Sequence, residues 1–182
     1  MGLFNTWSSS VSFFIAETIR RLFAPRHELS MSWFVWRRLV SSLRERGLNR
    51  TRESGAFLLG VRNGSTARVV DFVLYDDLDP HSLDTGIVHF DGRYFGALWE
   101  FCRERGLSVV ADIHVHPFGS EQSSSDQNHP MISSAGHIAL ILPNFADASM
   151  TTSDIGIYRY LGAKKWQTVP RRSRRAFLLV GI

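Results

Sequence analysis

Cysteine is almost missing from this chain: Cys102 is the single one among 182 residues. That excludes an internal disulfide and a zinc site built from thiolates. Cys102 falls in Tyr94 to Arg103, a run that reads as a helix, where a small buried hydrophobe is the expected role for a lone thiol. A secretory start is missing too. Met1-Gly2-Leu3-Phe4-Asn5 carries no basic residue, and Arg20-Arg21 follow the first apolar stretch instead of preceding it. No apolar run is long enough to span a bilayer. There is neither an internal repeat nor a low-complexity tract. A cytoplasmic, reducing compartment is the expectation.

What is present is the composition of an ordinary folded domain. Hydrophobic residues make up 44% of the chain, enough for a core. The expected layout is an amphipathic extension over residues 1–24 followed by one domain over residues 25–182. In the extension Val11, Phe14, Ile15, Ile19, Leu22 and Phe23 recur at helical spacing. That helix is expected to pack on the domain, with a partner protein, a second copy or a membrane surface as alternatives. The net charge of +4 is unevenly placed. Lys164, Lys165, Arg171, Arg172, Arg174 and Arg175 crowd the C-terminal part, whereas Asp76, Asp77, Asp79 and Asp84 form an acidic loop. Beyond Trp166 the basic cluster has no aromatic platform. A solvated face or a protein contact is therefore expected ahead of nucleic acid.

Hydrophobic periodicity gives the elements in order. A short strand is expected over 28–32. Apolar residues at 33, 36, 39, 40 and 43 predict a helix over 33–46, stopped by Gly47. Strands over 53–62 and 68–75 flank the turn signal Asn63-Gly64. Further expectations are a short strand at 87–90, a helix over 94–104 and a buried strand over 107–111. A central strand at 136–143 and an outer strand at 154–161 follow, and 176–180 is a last strand or docked tail. Two helices around a mixed or antiparallel sheet make an α/β domain.

The chemistry is concentrated in Asp112-Ile113-His114-Val115-His116-Pro117 and the polar run down to Asp126. Side chains two apart on a strand share a face, so His114 and His116 emerge side by side. Pro117 cannot continue the ladder, and the chain must turn. If the loop curls back, Asp126 reaches the imidazoles. Two nitrogens and a carboxylate oxygen suit zinc, with a fourth position for water. A plainer reading stands beside this one: two polar residues at a strand end, and Asp126 capping a helix. Glu53 lies at the mouth of a buried strand, where a carboxylate on its own is an ordinary surface charge. Gly55 and Ala56 next to it are small enough to let something approach the backbone.

Taken together, Glu53-Ser54-Gly55-Ala56-Phe57-Leu58-Leu59-Gly60, His114-x-His116-Pro117 and Ser123-x-x-Asp126 resemble the JAB/MPN zinc metalloproteases, the JAMM group, in their bacterial deubiquitinase-like branch. The likeness runs over roughly residues 33–160. It implies a cytidine-deaminase-like mixed sheet flanked by helices in a single domain. It implies one zinc per chain held by His114, His116 and Asp126 with a water as fourth ligand. Glu53 would be the general base and Ser123 the donor to the developing oxyanion. The implied activity is cleavage after the C-terminal glycine of a ubiquitin-like protein, as isopeptidase or precursor-processing peptidase. In bacteria such proteins occur beside conjugation genes, some in antiphage systems, so E1/E2-like conjugation proteins are further expected partners. A non-catalytic scaffold or adaptor is the alternative, and a nucleic-acid-associated relative the third reading. Substrate contacts are expected at Gly55, Ala56, Asp76, Asp77, Asp79, Val88 and His89, with a glycine-rich tail lying beside 86–90. Two departures from the family pattern stand out. The loop from His116 to Asp126 is shorter than the commoner form, and Gln122 precedes Ser123 where a proline is usual. Ser124 and Ser125 thus remain alternatives to Ser123.

Overall fold

A computed structural model describes residues 27–181. The 1–24 extension and its amphipathic helix lie outside the described residues. The strands are β1 (Leu29–Met31), β2 (Gly55–Asn63), β3 (Thr66–Leu74), β4 (Ser108–Val115), β5 (Ile138–Leu142), β6 (Gly156–Gly162), β7 (Lys165–Thr168) and β8 (Leu178–Val180). The helices are α1 (Trp33–Arg46), α2 (Tyr75–Leu78), α3 (Phe95–Arg105), α4 (Ser124–Asn128) and α5 (Arg171–Phe177). All the strands join one mixed sheet in the order β7-β6-β5-β4-β2-β3-β1-β8. The fold is thus the expected α/β arrangement of a mixed sheet between helices.

Strand alternation sorts the core into two layers. Ala56, Leu58, Ala111, Ile113 and Leu140 point to one face and meet Val35, Leu39 and Leu43 of α1. Phe57, Leu59 and Tyr75 point to the other and meet Leu98 and Cys102 of α3. Ser32 starts α1 by accepting the Val35 N–H on its hydroxyl at 3.2 Å, and Gly47 closes it by donating to the Leu43 carbonyl. Leu39 and Leu43 are fully buried, each contributing about 2 kcal/mol through the area removed from water. Truncating either to alanine would leave a cavity between helix and sheet and cost about 2–5 kcal/mol.

The centre of the sheet is β4, antiparallel to β2 and parallel to β5. Its flanks are hydrogen-bonded on both sides, so its C-terminal end is a firmly held platform. Two expectations need correction. The 87–90 segment forms no strand. The N–H of Val88 goes to a side chain and that of His89 to the Ser82 carbonyl, so no ladder can run along it. The acidic loop begins with a helical turn, α2. The basic cluster lies partly on a helix, α5, and the chain then adds β8 parallel to β1. No helix among the described residues is long and apolar enough to cross a membrane.

Candidate metal centre

Ala111, Ile113 and Val115 belong to the α1 side of the core. By alternation Asp112, His114 and His116 take the opposite face. His114 is buried, and His116 stands just past the strand end. The His116 N–H donates to the Leu142 carbonyl at 2.9 Å, and its own carbonyl accepts the Phe145 N–H at 2.8 Å. Pro117 ends the ladder as expected. The loop then returns and enters α4 through a capping box. Ser123 Oγ accepts the Asp126 N–H at 3.2 Å, and Asp126 Oδ2 accepts the Ser123 N–H at 2.7 Å.

That helix cap and the metal reading turn out to be the same carboxylate. Asp126 Oδ1 lies 3.3 Å from His114 Nε2, and Oδ2 lies 3.3 Å from His116 Nε2. The two Nε2 atoms are 3.0 Å apart. Zinc with bonds of about 2.0–2.1 Å sets tetrahedral ligand atoms about 3.3–3.4 Å from one another. His114, His116 and Asp126 therefore form a cluster of the right size and donor chemistry to hold a metal ion.

The electrostatics agree. Burial pulls the His114 pKa down, but the hydrogen bond and charge of Asp126 outweigh it and hold the imidazole above its ordinary value. Burial pushes the Asp126 carboxyl up, yet His114 and His116 hold it well below the usual carboxylate range. The carboxylate favours positive charge at this spot, which a cation held there would supply. His114 Nδ1 is buried without a hydrogen-bond partner among the described residues.

Glu53 approaches from the segment just before β2 without joining the His114, His116 and Asp126 cluster. Its Oε1 lies 3.8 Å from His116 Nε2, and its Oε2 accepts the Val88 N–H at 3.2 Å. Its backbone is fixed from both sides. The Glu53 N–H donates to Gly86 O at 2.9 Å, and the next residue, Ser54, donates its hydroxyl to Leu43 O at 2.6 Å. A held carboxylate beside three converging metal donors is the arrangement needed to move a proton to and from water.

Several expected substrate contacts are elsewhere. A Cβ on Gly55 would lie 2.2 Å from Tyr75 Cε2, so the close approach there is made by the Tyr75 ring. Ala56 is fully buried in the α1 core. Asp79 is 2% exposed and accepts the N–H groups of His81 and Asp91, which makes it a staple of its own loop. Asp76 and Asp77 both pair with Arg46. Val88 is buried and serves through its backbone by holding Glu53. Asp77 and His89 keep an exposed side. Ser123 is exposed; its oxygen serves the cap, and its proton is free to donate.

Sequence reasoning missed a second polar group under this site. His137 Nε2 lies 2.6 Å from Asp112 Oδ1, and the Tyr75 hydroxyl donates to Asp112 Oδ2 at 3.2 Å. All are buried, and burial followed by the Asp112 charge pushes the Tyr75 pKa well up. Counting back by two from His116 and His114 reaches Asp112, so the strand period itself carried that signal.

A mixed α/β sheet thus presents a His-His-Asp cluster fit to hold a metal ion, with the Glu53 carboxylate at its edge. No family model matches the chain. Over 67 residues it is 31% identical to Probable metalloprotease y4jG of Sinorhizobium fredii, covering 37% of this chain and 41% of that protein. The chain thus spans well under half the length of this relative. The fold is similar to the solution structure of protein DSY2949 from Desulfitobacterium hafniense, with a TM-score of 0.61, 15% identity and coverage of 84% of this chain and 92% of that one. A Salinibacter ruber protein aligns at a TM-score of 0.48 with 15% identity, over 77% of this chain and 88% of that one.

Proposed function

We propose that the chain is a JAB/MPN-type zinc peptidase that cleaves after the C-terminal glycine of a ubiquitin-like protein, as a deconjugating or precursor-processing enzyme. The observation that carries this reading is the placement of Glu53. It stands 3.8 Å from His116 Nε2 and is held by the Val88 N–H, next to a ligand triad that it does not join. The name of the Sinorhizobium relative supports the peptidase part of the reading.

His114, His116 and Asp126 would hold the zinc. When bound, zinc lowers the pKa of a coordinated water and polarises the scissile carbonyl. Glu53 would serve as the group that takes up a proton from water at the site and passes it to the leaving amine. With Oε2 engaged by Val88, Oε1 is the oxygen turned toward the site. The Ser123 hydroxyl, fixed at the α4 cap, donates toward the oxygen on which negative charge develops. Along 87–90 exposed Ile87 and His89 alternate with buried Val88 and Phe90. A glycine-rich tail would lie against that exposed edge, where residues without side chains can approach the metal ligands most closely.

The test is zinc-loaded protein with ubiquitin-like fusions ending in Gly-Gly, followed by mass spectrometry. Cleavage after the last glycine is expected, lost with a chelator and with Glu53→Gln. Leucine at the penultimate position should abolish it, and undiminished turnover on that substrate would mean that the site does not select for glycine there. Full zinc occupancy without turnover on any fusion would favour the adaptor.

A further inference from the structure

We propose that the β6–β7 hairpin, which supplies no ligand, sets the metal affinity of the site by holding the Asp126 loop in its binding shape. This inference rests on the metal reading above. His114 and His116 sit on or directly after β4 and are fixed by its ladders. Asp126 has no such support. It belongs to α4, a helix of 5 residues, too short to be stable by itself. Most side chains from Pro117 to His129 are exposed.

Three donors downstream grip three carbonyls of this loop. The Asn144 N–H donates to Phe118 O at 2.8 Å. The Tyr158 hydroxyl donates to Ser120 O at 2.8 Å, and Trp166 Nε1 donates to Gln127 O at 3.2 Å. Ser120 is the buried residue of the loop, and its carbonyl rests against Gly156. A Cβ at position 156 would lie 2.0 Å from Ser120 O, so only glycine leaves room for the loop backbone. Gly156 and Tyr158 share a strand face, the first making the seat and the second closing it. Tyr158 packs with Ala139, Ile141 and Trp166, and Trp166 meets the Tyr160 ring edge-on at 4.8 Å. The grip therefore stands on a packed apolar base. Pins on both sides of Asp126 shorten the free chain that must be ordered when a cation is bound. Ordering done in advance appears as affinity. Tyr158, Trp166 and Gly156 are positioning residues.

The test uses the full chain and compares Tyr158→Phe, Trp166→Phe and Gly156→Ala with Gln167→Ala, a change on the same hairpin. Two quantities are read: the zinc dissociation constant by chelator competition, and amide exchange over 118–128 in metal-free protein. Tyr158→Phe and Trp166→Phe should each weaken zinc by about ten-fold, the usual size for loss of a group that holds a ligand in place. The Ser123 and Asp126 amides should exchange faster. Gln167→Ala should change neither. Gly156→Ala should do most; if it fails to fold, the two aromatic variants decide. Folded Tyr158→Phe and Trp166→Phe proteins with unchanged zinc affinity and unchanged loop exchange overturn the proposal. If the wild type takes up no zinc, the metal reading falls. The hairpin's grip is then judged by exchange alone, supported by faster exchange in the aromatic variants and overturned by none.

Discussion

Two clusters of the same residue types stand side by side on one face of β4, and only one is suited to a metal. The inner one joins Asp112 to His137 and Tyr75; the outer one joins Asp126 to His114 and His116. Both contain an aspartate and imidazole, and both are largely shielded from water. In the inner cluster each carboxylate oxygen has its own donor, Tyr75 on one side and His137 on the other. In the outer cluster two ring nitrogens face each other at 3.0 Å with both carboxylate oxygens aimed at them. Such a group has acceptors in excess, and it lies beside the Glu53 carboxylate. Residue type and burial alone do not mark a metal site. What marks it is hydrogen bonding that cannot close within the cluster.

The hardest blow to that contrast comes from the outer cluster. Alanine at His114, His116 or Asp126 should each strip the metal and with it hydrolysis, as measured by zinc content and turnover on folded protein. Glu53→Gln should keep the zinc yet lower turnover by about 10²–10⁴, the usual reach of a general base. Zinc retained in Asp126→Ala would mean that another oxygen in the loop is the ligand. Acid should act like the alanine variants, because both imidazoles must be neutral to bind. Zinc should therefore leave as the pH falls through the range in which His114, held above its ordinary value by Asp126, takes up its proton, read by chelator competition.

The inner cluster should respond in the opposite way. Asp112→Asn leaves His137 and Tyr75 with a weaker partner in a buried place. Unfolding by urea should show a loss of about 3 kcal/mol, whereas zinc content should stay near the wild-type value. Loss of zinc at full stability would erase the distinction between the clusters and make Asp112 part of the metal centre. A smaller effect is expected at Gly55→Ala. The new methyl would meet the Tyr75 ring, so the Tyr75–Asp112 contact must shift at a cost of about 1–3 kcal/mol.

Much of this was legible in the sequence, for reasons that differ by element. The helix Trp33–Arg46 and the Asn63-Gly64 hairpin announce themselves through local rules, periodicity and turn chemistry. The pairing of His114 with His116 was legible because a strand has period two and proline stops a ladder, whereas Asp126 joins them through the fold of its loop. The segment 87–90 was misread because a short run with Ile87, Val88 and Phe90 resembles a strand even where each N–H goes to a different partner. Gly55 and Ala56 were misread as space for substrate. Whether a small residue leaves a gap depends on what fills it, and Tyr75 comes from another strand's end. Asp79 was misread for the same reason in reverse: nothing local tells a buried loop staple from a solvated acid. The seat for Ser120 on Gly156 is a contact between distant parts of the chain and leaves no mark on either stretch alone.

The smallest expected effect concerns the acidic loop. Asp77 is half-exposed and paired with Arg46 at 2.9 Å. An exposed ion pair contributes little, so Asp77→Asn should change stability by less than about 1 kcal/mol. Kinetics can show more than stability here. If the loop meets basic residues next to the tail of a ubiquitin-like protein, Asp77→Asn should raise KM severalfold and leave kcat unchanged, the signature of a contact equal in ground and transition states. Asp76 is a poor substitute for this test, since its side chain is mostly buried against Arg46. Asp79 is worse, because its loss would unfasten the loop itself. An unchanged KM in Asp77→Asn would mean that this loop faces solvent and takes no part in recognition.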